Sequence, residues 1–293
     1  MTPVIDENTE YIAHITDAMF NFIYYGQFHT VFYLPKVEGM EAPTITNFSE
    51  KADIYTVKIG GVAYWAYTKY CSTATVADDL TTKVTFVIDG ETYTQSFTLS
   101  ALLYAKIVLT YPESDVEAKA VANMIRYVKE ARLAAGLDVS KFAELEALYT
   151  LEDYKDKSEY DDLDADYKAI SDYVDSIRFM LNGSTASYVI TLNENYADKV
   201  SLSVSYADGK NVETRVSESI ANSIYTTNTR VYNLTQAIKI TVTIPGADGA
   251  DDIVVSGTYS LGAYIQAMDN DLAKSVYEFG VAADAYRAEL IKK

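Results

Sequence analysis

Lys83–Gly136 reads KVTFVIDGETYTQSFTLSALLYAKIVLTYPESDVEAKAVANMIRYVKEARLAAG, and a second version of it, IKITVTIPGADGADDIVVSGTYSLGAYIQAMDNDLAKSVYEFGVAADAYR, runs from Ile238 to Arg287. In the first copy Val84, Phe86 and Ile88 alternate with Lys83, Thr85 and Val87; Asp89-Gly90 follows, then an alternating Thr/Tyr run to Phe97. Alternation on both sides of Asp-Gly predicts a β-hairpin, because a tight turn between twisted strands needs positive φ, which glycine supplies without steric cost. The second copy repeats the strand pair with Ile238, Ile240, Val242 and Ile244, a looser turn from Pro245 to Gly249, and Ile253 to Val255.

At Thr98-Leu99-Ser100 and Thr258-Tyr259-Ser260 the period changes from two to helical. Leu103, Ile107 and Val108 can share one face of a short helix that Pro112 ends, and Ser114 with Glu117 has the spacing of a capping box. The second helix aligns Ala118, Val121, Met124, Val128 and Arg132 with Ala273, Val276, Phe279, Ala283 and Arg287. A stripe spaced by three and four residues is a packing face.

Outward from these copies, Phe20, Phe22 and Tyr24, and then Phe28, Thr30, Phe32 and Leu34, predict two strands separated by Gly26. Thr44–Thr46, Ile54–Ile59 and Val62–Tyr70 add strands, with Gly60-Gly61 as a turn. The second β-region runs through Ile177, Phe179 and Leu181, turns at Asn182-Gly183, returns through Tyr188 to Leu192, and continues with Val200 to Val204 up to Asp208-Gly209. Further strands are expected near Glu213–Val216, Ile224–Tyr225 and Val231–Leu234. Short strands with frequent turns predict an antiparallel sandwich. The expected fold is α+β: two tandem antiparallel β-sandwich (Ig-like) modules, residues 1–136 and 177–293, each followed by a helical hairpin. Residues 137–176, with Phe142, Leu145, Leu148 and Leu151 and later Tyr167, Ile170 and Val174, form the expected acidic helical linker.

The net charge is −18, and half of it falls in Leu137–Ser176, which holds 13 acidic and 4 basic residues. Such a balance repels nucleic-acid phosphates and anionic lipid surfaces. No apolar run approaches the roughly 18 residues of a membrane span, and MTPVIDENTE lacks the basic and apolar regions of a signal peptide. Cys71 is the single cysteine, which excludes an intrachain disulfide and a multi-cysteine zinc site.

No Walker loop, G-x-S-x-G elbow or G-x-G-x-x-G is present, and His14 and His29, the two histidines, read as ordinary strand residues. With 42 acidic residues, carboxylate pairs are too abundant for any one to be singled out for glycoside hydrolysis. Asp161, Asp162, Asp164 and Asp166 invite calcium, yet lack the glycine and terminal glutamate of an EF-hand loop; a solvated acidic turn is the simpler reading. Among 26 tyrosines, Tyr64 would face one side of its strand, and Trp65 with Tyr67 the other. Exposed, Trp65 and Tyr67 would form a stacking platform for sugar rings; buried, they are sandwich core.

The sandwich, "SFTLSALLYAKIVL", "DVEAKAVANMIRYVKEAR" and the echo "YSLGAYIQAMDN" resemble a repeated module of large exported proteins of gut-dwelling Firmicutes. In those modules Y-S/T-L-x-x-Y precedes a helix ending in Y-G-x-A-A-x-x-Y. Here Tyr259-Ser260-Leu261 and Phe279-Gly280-Val281-Ala282-Ala283-Asp284-Ala285-Tyr286 carry the likeness, while Met124–Arg132 of the first copy lacks the Gly-x-Ala-Ala core. The resemblance implies a secreted or cell-surface location and no catalytic residue. The expectation is therefore a non-catalytic interaction or structural protein with protein or glycan partners at the cell surface. Self-association and calcium remain open. The alternatives are a glycan-binding module using Trp65 and Tyr67, and a carboxylate-dependent glycoside hydrolase.

Overall fold

The computed structural model describes residues 4–5, 19–24, 28–48, 55–160, 166–182, 185–227, 229–247 and 250–292. The chain divides into two compact units, Met1–Thr150 and Leu151–Lys293. Unit 1 holds β1 (Val4–Ile5), β2 (Met19–Tyr24), β3 (Phe28–Pro35), β4 (Thr44–Ile45), β5 (Tyr55–Ile59), β6 (Val62–Cys71), β7 (Leu80–Ile88) and β8 (Glu91–Leu99), followed by helices α1 (Ala101–Thr110), α2 (Asp115–Ala134) and α3 (Ala143–Leu148). Unit 2 holds β9 (Val174–Asn182), β10 (Thr185–Leu192), β11 (Ser201–Tyr206), β12 (Thr214–Val216), β13 (Ser223–Thr226), β14 (Ile238–Ile244) and β15 (Ile253–Tyr259), then α4 (Leu261–Met268) and α5 (Asp271–Lys292). The protein is thus α+β with antiparallel sheets. Among the described residues no helix is long and apolar enough to cross a membrane.

The same strand order appears twice. Unit 1 pairs β2-β3-β6-β5 in one sheet and β1-β8-β7-β4 in the other; unit 2 pairs β9-β10-β13-β12 and β11-β14-β15. Asp89 and Gly90 both have positive φ and join Ile88 directly to Glu91, as the two-residue turn requires. Gly60-Gly61 does the same between Ile59 and Val62. Gly26, Gly183 and Gly249, expected in turns, lie outside the described residues, as does Ile54.

In unit 1 one core draws on both sheets: Phe20, Phe32, Leu34 and Tyr67 from the first, and Val84, Phe86, Ile88, Phe97 and Leu99 from the second. Phe32 and Phe97 meet across it with ring centroids 5.0 Å apart. The helices pack onto this core through aromatic side chains. Tyr104 of α1 lies edge-on to Phe22 at 5.5 Å, and Tyr127 of α2 lies 6.2 Å from both Tyr24 and Phe28. Unit 2 uses the matching position, for Tyr264 of α4 packs 6.0 Å from Phe179 on its own first strand.

Both first helices begin at a serine whose Oγ accepts an N–H of the opening turn: Ser100 from Leu103 at 3.2 Å, and Ser260 from Ala263 at 3.1 Å. Ser114 caps α2 in the same way through Glu117 N–H, while the Glu117 carboxylate accepts from Glu113 N–H at 2.8 Å, one residue upstream of the expected box. The repeat weakens along the last helix. Arg132 is buried, but its counterpart Arg287 is exposed.

Residues 137–176 do not form a separate helical linker. The first part belongs to unit 1, where Phe142 and Leu145 are buried, Lys106 meets Glu144 at 2.5 Å and Lys129 pairs with Glu146. The rest belongs to unit 2, and among its described residues it is helical only in two 3₁₀ turns, Lys157–Glu159 and Lys168–Ile170; Val174 already starts β9. Apolar residues three apart fit a single tight turn as well as a helix, so their spacing overstated the helical content. Val231–Asn233 is likewise a 3₁₀ turn rather than a strand.

Each unit seals its last strand with the chain that leads into it. In unit 1, β1 pairs antiparallel with β8, Val4 opposite Thr98 and Ile5 opposite Phe97. In unit 2, Thr258, which matches Thr98, donates its N–H to Asp166 O at 2.7 Å and accepts from Asp166 N–H at Oγ1, 3.0 Å away. Gly257 stands where unit 1 has Phe97. A Cβ there would lie 2.8 Å from Tyr167 Cα and 2.9 Å from Ile170 Cγ1, and Ile170 is fully buried. The lead-in residue Ile170 thus fills beside Gly257 the space that a side chain on the strand would need.

Candidate functional site

The most regular exposed surface is the outward face of the sheets that carry the repeated hairpins. Inward positions of β7 and β8 hold the core, so alternation turns Thr81, Lys83, Thr85 and Val87, with Thr92, Thr94, Ser96 and Thr98, to solvent. Thr44 of β4 lies opposite Thr85, which lies opposite Thr94. Thr46 brackets Lys83: its N–H donates to Lys83 O at 3.0 Å, and its Oγ1 accepts Lys83 N–H at 2.8 Å. Lys83 in turn faces Ser96.

Unit 2 builds the same surface from β11, β14 and β15. Its rows across the sheet are Ser201–Thr243–Val254, Ser203–Thr241–Ser256 and Ser205–Lys239–Thr258. Val204 and the fully buried Ile240 and Val242 occupy the opposite, inward phase. Neighbouring hydroxyls pair across strands: Thr81 with Thr98 and Thr85 with Thr94, both at 3.2 Å, and Thr241 with Ser256 at 3.1 Å. The outward positions of these strands carry no carboxylate, and neither Lys83 nor Lys239 forms an ion pair among the described residues. The rows repeat about every 4.8 Å across the strands and about 6.8 Å along them.

The expected platform is arranged differently. Tyr67 is 1% exposed, lies in the core and donates its hydroxyl to Pro43 O at 2.7 Å; burial pushes its phenol well above the ordinary value. Trp65 is half-buried against the same core. Lys36 Nζ sits 3.5 Å from its ring centroid and donates to Thr56 Oγ1, so a cation occupies one indole face. The indole Nε1 meets no acceptor among the described residues. The two side chains share a strand face as expected, but that face is the one turned to the core.

Cys71 lines a cleft of about 270 Å³ at the end of β6, with Lys69, Tyr70, Ser72, Asp78 and Asp79 among its walls. The thiol lies 3.4 Å from Thr30 Oγ1. Asp78 is engaged by Arg132 at 2.7 Å and Asp79 by Lys141 at 3.3 Å, so both carboxylates serve the packing of α2 and the loop after it. His29 packs edge-on to Tyr70, and burial lowers its pKa. His14, Asp161, Asp162 and Asp164 lie outside the described residues. Asp166 Oδ1 accepts the N–H of Lys168 at the start of the 3₁₀ turn, which Ile170 N–H closes on Tyr167 O. Among the described residues no three carboxylate, imidazole or thiol groups converge.

Sequence reasoning passed over the hydroxylated faces, although their signal is present: serine or threonine at alternate positions of both hairpins and of Ser201–Ser205. No protein-family model matches the chain, and no curated protein matches it.

Proposed function

We propose that this is a non-catalytic, secreted or cell-surface interaction protein of a Gram-positive gut bacterium, built of two Ig-like modules that each end in a helical hairpin. The strand orders support the modular part. β2-β3-β6-β5 with β4-β7-β8, and β9-β10-β13-β12 with β11-β14-β15, have the four-plus-three order of a constant-type immunoglobulin sandwich. Such a fold hosts many activities, so the function rests on the surface it presents.

The observation that carries the reading is the recurrence, on the equivalent sheet of both units, of an outward face of hydroxyl rows holding one lysine; the lysine stands one row apart in the two, for Lys83 matches Thr241 and Lys239 matches Thr81. Packing fixes the inward phase of these strands. It places no demand on the outward one, where strand propensity favours threonine over aspartate, glutamate and lysine but gives no reason for serine at Ser96, Ser201, Ser203, Ser205 and Ser256. A face kept hydroxylated twice in a chain of net charge −18 suits contact with a polar, hydrogen-bonding partner. The same face favours a glycan as that partner, in place of Trp65, half-buried under Lys36, and the buried Tyr67.

The test is incubation with immobilised mucin and plant polysaccharides while following both retention and release of reducing ends or peptide amines. Retention without release is expected. Turnover that a carboxylate substitution abolishes overturns the reading.

A further inference from the structure

The two hydroxylated faces differ from the rest of the molecule in electrostatics as well as in chemistry. Each holds one lysine, Lys83 or Lys239, exposed and without an ion-pair partner among the described residues. Each lysine has hydroxyls beside it: Thr46, Ser96, Thr81 and Thr85 around Lys83, and Ser205 and Thr241 around Lys239, whose third neighbour, Thr258, is engaged through its Oγ1 by Asp166 N–H. Each cross-strand hydroxyl pair uses one hydrogen in its mutual bond and leaves one hydrogen and several lone pairs for a ligand. The lysine offers three donors on a compact charge.

We infer that each face binds a glycan end bearing a single carboxylated sugar, with the carboxylate on Lys83 or Lys239 and the sugar hydroxyls on the flanking serines and threonines. The inference deepens the interaction reading and rests on it. Charge complementarity selects the occupant. One cation per face matches one anionic group, whereas a polymer charged at every sugar would bring carboxylates it leaves unmatched against a chain of net charge −18. A neutral glycan would satisfy the hydroxyls and leave the lysine unused.

The experiment compares retention of the full chain on surfaces displaying 3′-sialyllactose, lactose or polygalacturonate. Lys83→Gln, Lys239→Gln and the double variant are run beside Lys58→Gln, which makes the same charge change at an exposed position of β5. Retention is expected on the sialylated surface above the other two. Each single substitution should weaken it by about fivefold, the size of one partly solvated ion pair. The double variant should lose it, Lys58→Gln should leave it unchanged, and Lys83→Arg should preserve the contribution of the first face. Unchanged thermal midpoints confirm that the variants are folded. Equal retention on lactose, stronger retention on polygalacturonate, no retention on any surface, or a double variant that binds like the parent overturns the inference. Retention on mucin that ignores both lysines removes this inference alone, whereas turnover of a polymer removes the interaction reading beneath it.

Discussion

Arg132 and Arg287 occupy matching positions in the two copies, yet only the first is part of the interior. The Arg132 guanidinium donates to Asp138 O at 2.9 Å and to Ala74 O and Asp78 Oδ1, both at 2.7 Å, tying α2 to the loop ahead of β7. Removing it strands two carbonyls, so Arg132→Met is expected to cost about 2–3 kcal/mol in denaturant unfolding. Arg287, exposed over the Tyr232 ring and beside Asp284, should cost no more than about 1 kcal/mol when changed to Met. Tyr67→Phe removes one buried hydrogen bond without emptying volume, for an expected loss of about 1 kcal/mol. The Asp269–Lys274 pair sets a pH dependence. The hydrogen bond from Lys274 holds the Asp269 carboxyl below its ordinary value, and the bond to Asp269 holds Lys274 above its own. The carboxylate therefore contributes stability at pH above its unfolded pKa of about 4 and loses it as pH falls through the lower folded value. The lysine contribution persists until pH rises past the unfolded value of about 10.4 and is lost above it. Asp269→Asn should flatten the acid limb of the unfolding midpoint plotted against pH, and an unchanged limb would show that the pair contributes nothing.

At the scale of elements, the strands were legible because alternation and turn residues agree. Asp89-Gly90 and Gly60-Gly61 mark two-residue turns, and such turns set the register of the hairpins they close. The Ser114 cap was legible from its spacing to Glu117, whereas Ser100 and Ser260 were read only as the place where the period changes; Ser100→Ala or Ser260→Ala should each destabilise its unit by about 1 kcal/mol in thermal or denaturant unfolding. The fate of Trp65 and Tyr67 was not legible. Both faces of β6 are covered, with Tyr64, Ala66 and Tyr67 all buried, so alternation could not say which aromatic residue reaches solvent. The hydroxylated faces escaped notice because threonine and serine at alternate positions read as ordinary strand residues until pairing sets the rows side by side. Gly257 shows the same dependence on tertiary context. Sequence marks it as a weak point in a strand, and only the structure shows Tyr167 and Ile170 lying against it. Gly257→Ala should therefore cost about 1–3 kcal/mol by overpacking, measured as a lower midpoint of unit 2.

For the whole molecule, the duplication was readable and its boundaries were not. Composition marked 137–176 as one acidic stretch, yet the contacts assign its two parts to different units. Charge reports exposure, whereas a boundary is set by a few buried residues such as Phe142, Leu145, Tyr160 and Ile170. Tyr160 is held by Gln266, which donates to its carbonyl at 2.6 Å, and lies edge-on to Tyr277 at 5.1 Å. Residues 151–293 expressed alone are expected to give a dispersed amide spectrum and a cooperative transition. A chain begun at Ile177 should lack both, since the loss of Ile170 opens a hole beside Gly257 and the loss of Asp166 bares the end of β15. Equal spectra from the two would show that the lead-in is dispensable.

That lead-in also bears on heredity. A gene segment copied from the first codon of an opening strand would encode a module with an unsealed last strand and a missing interior residue, which selection would see as a misfolding product. A cut made some twenty codons earlier would encode one that closes by itself. Inheritance of this architecture as a movable cassette therefore favours breakpoints inside the acidic stretch, upstream of the sandwich each copy adds.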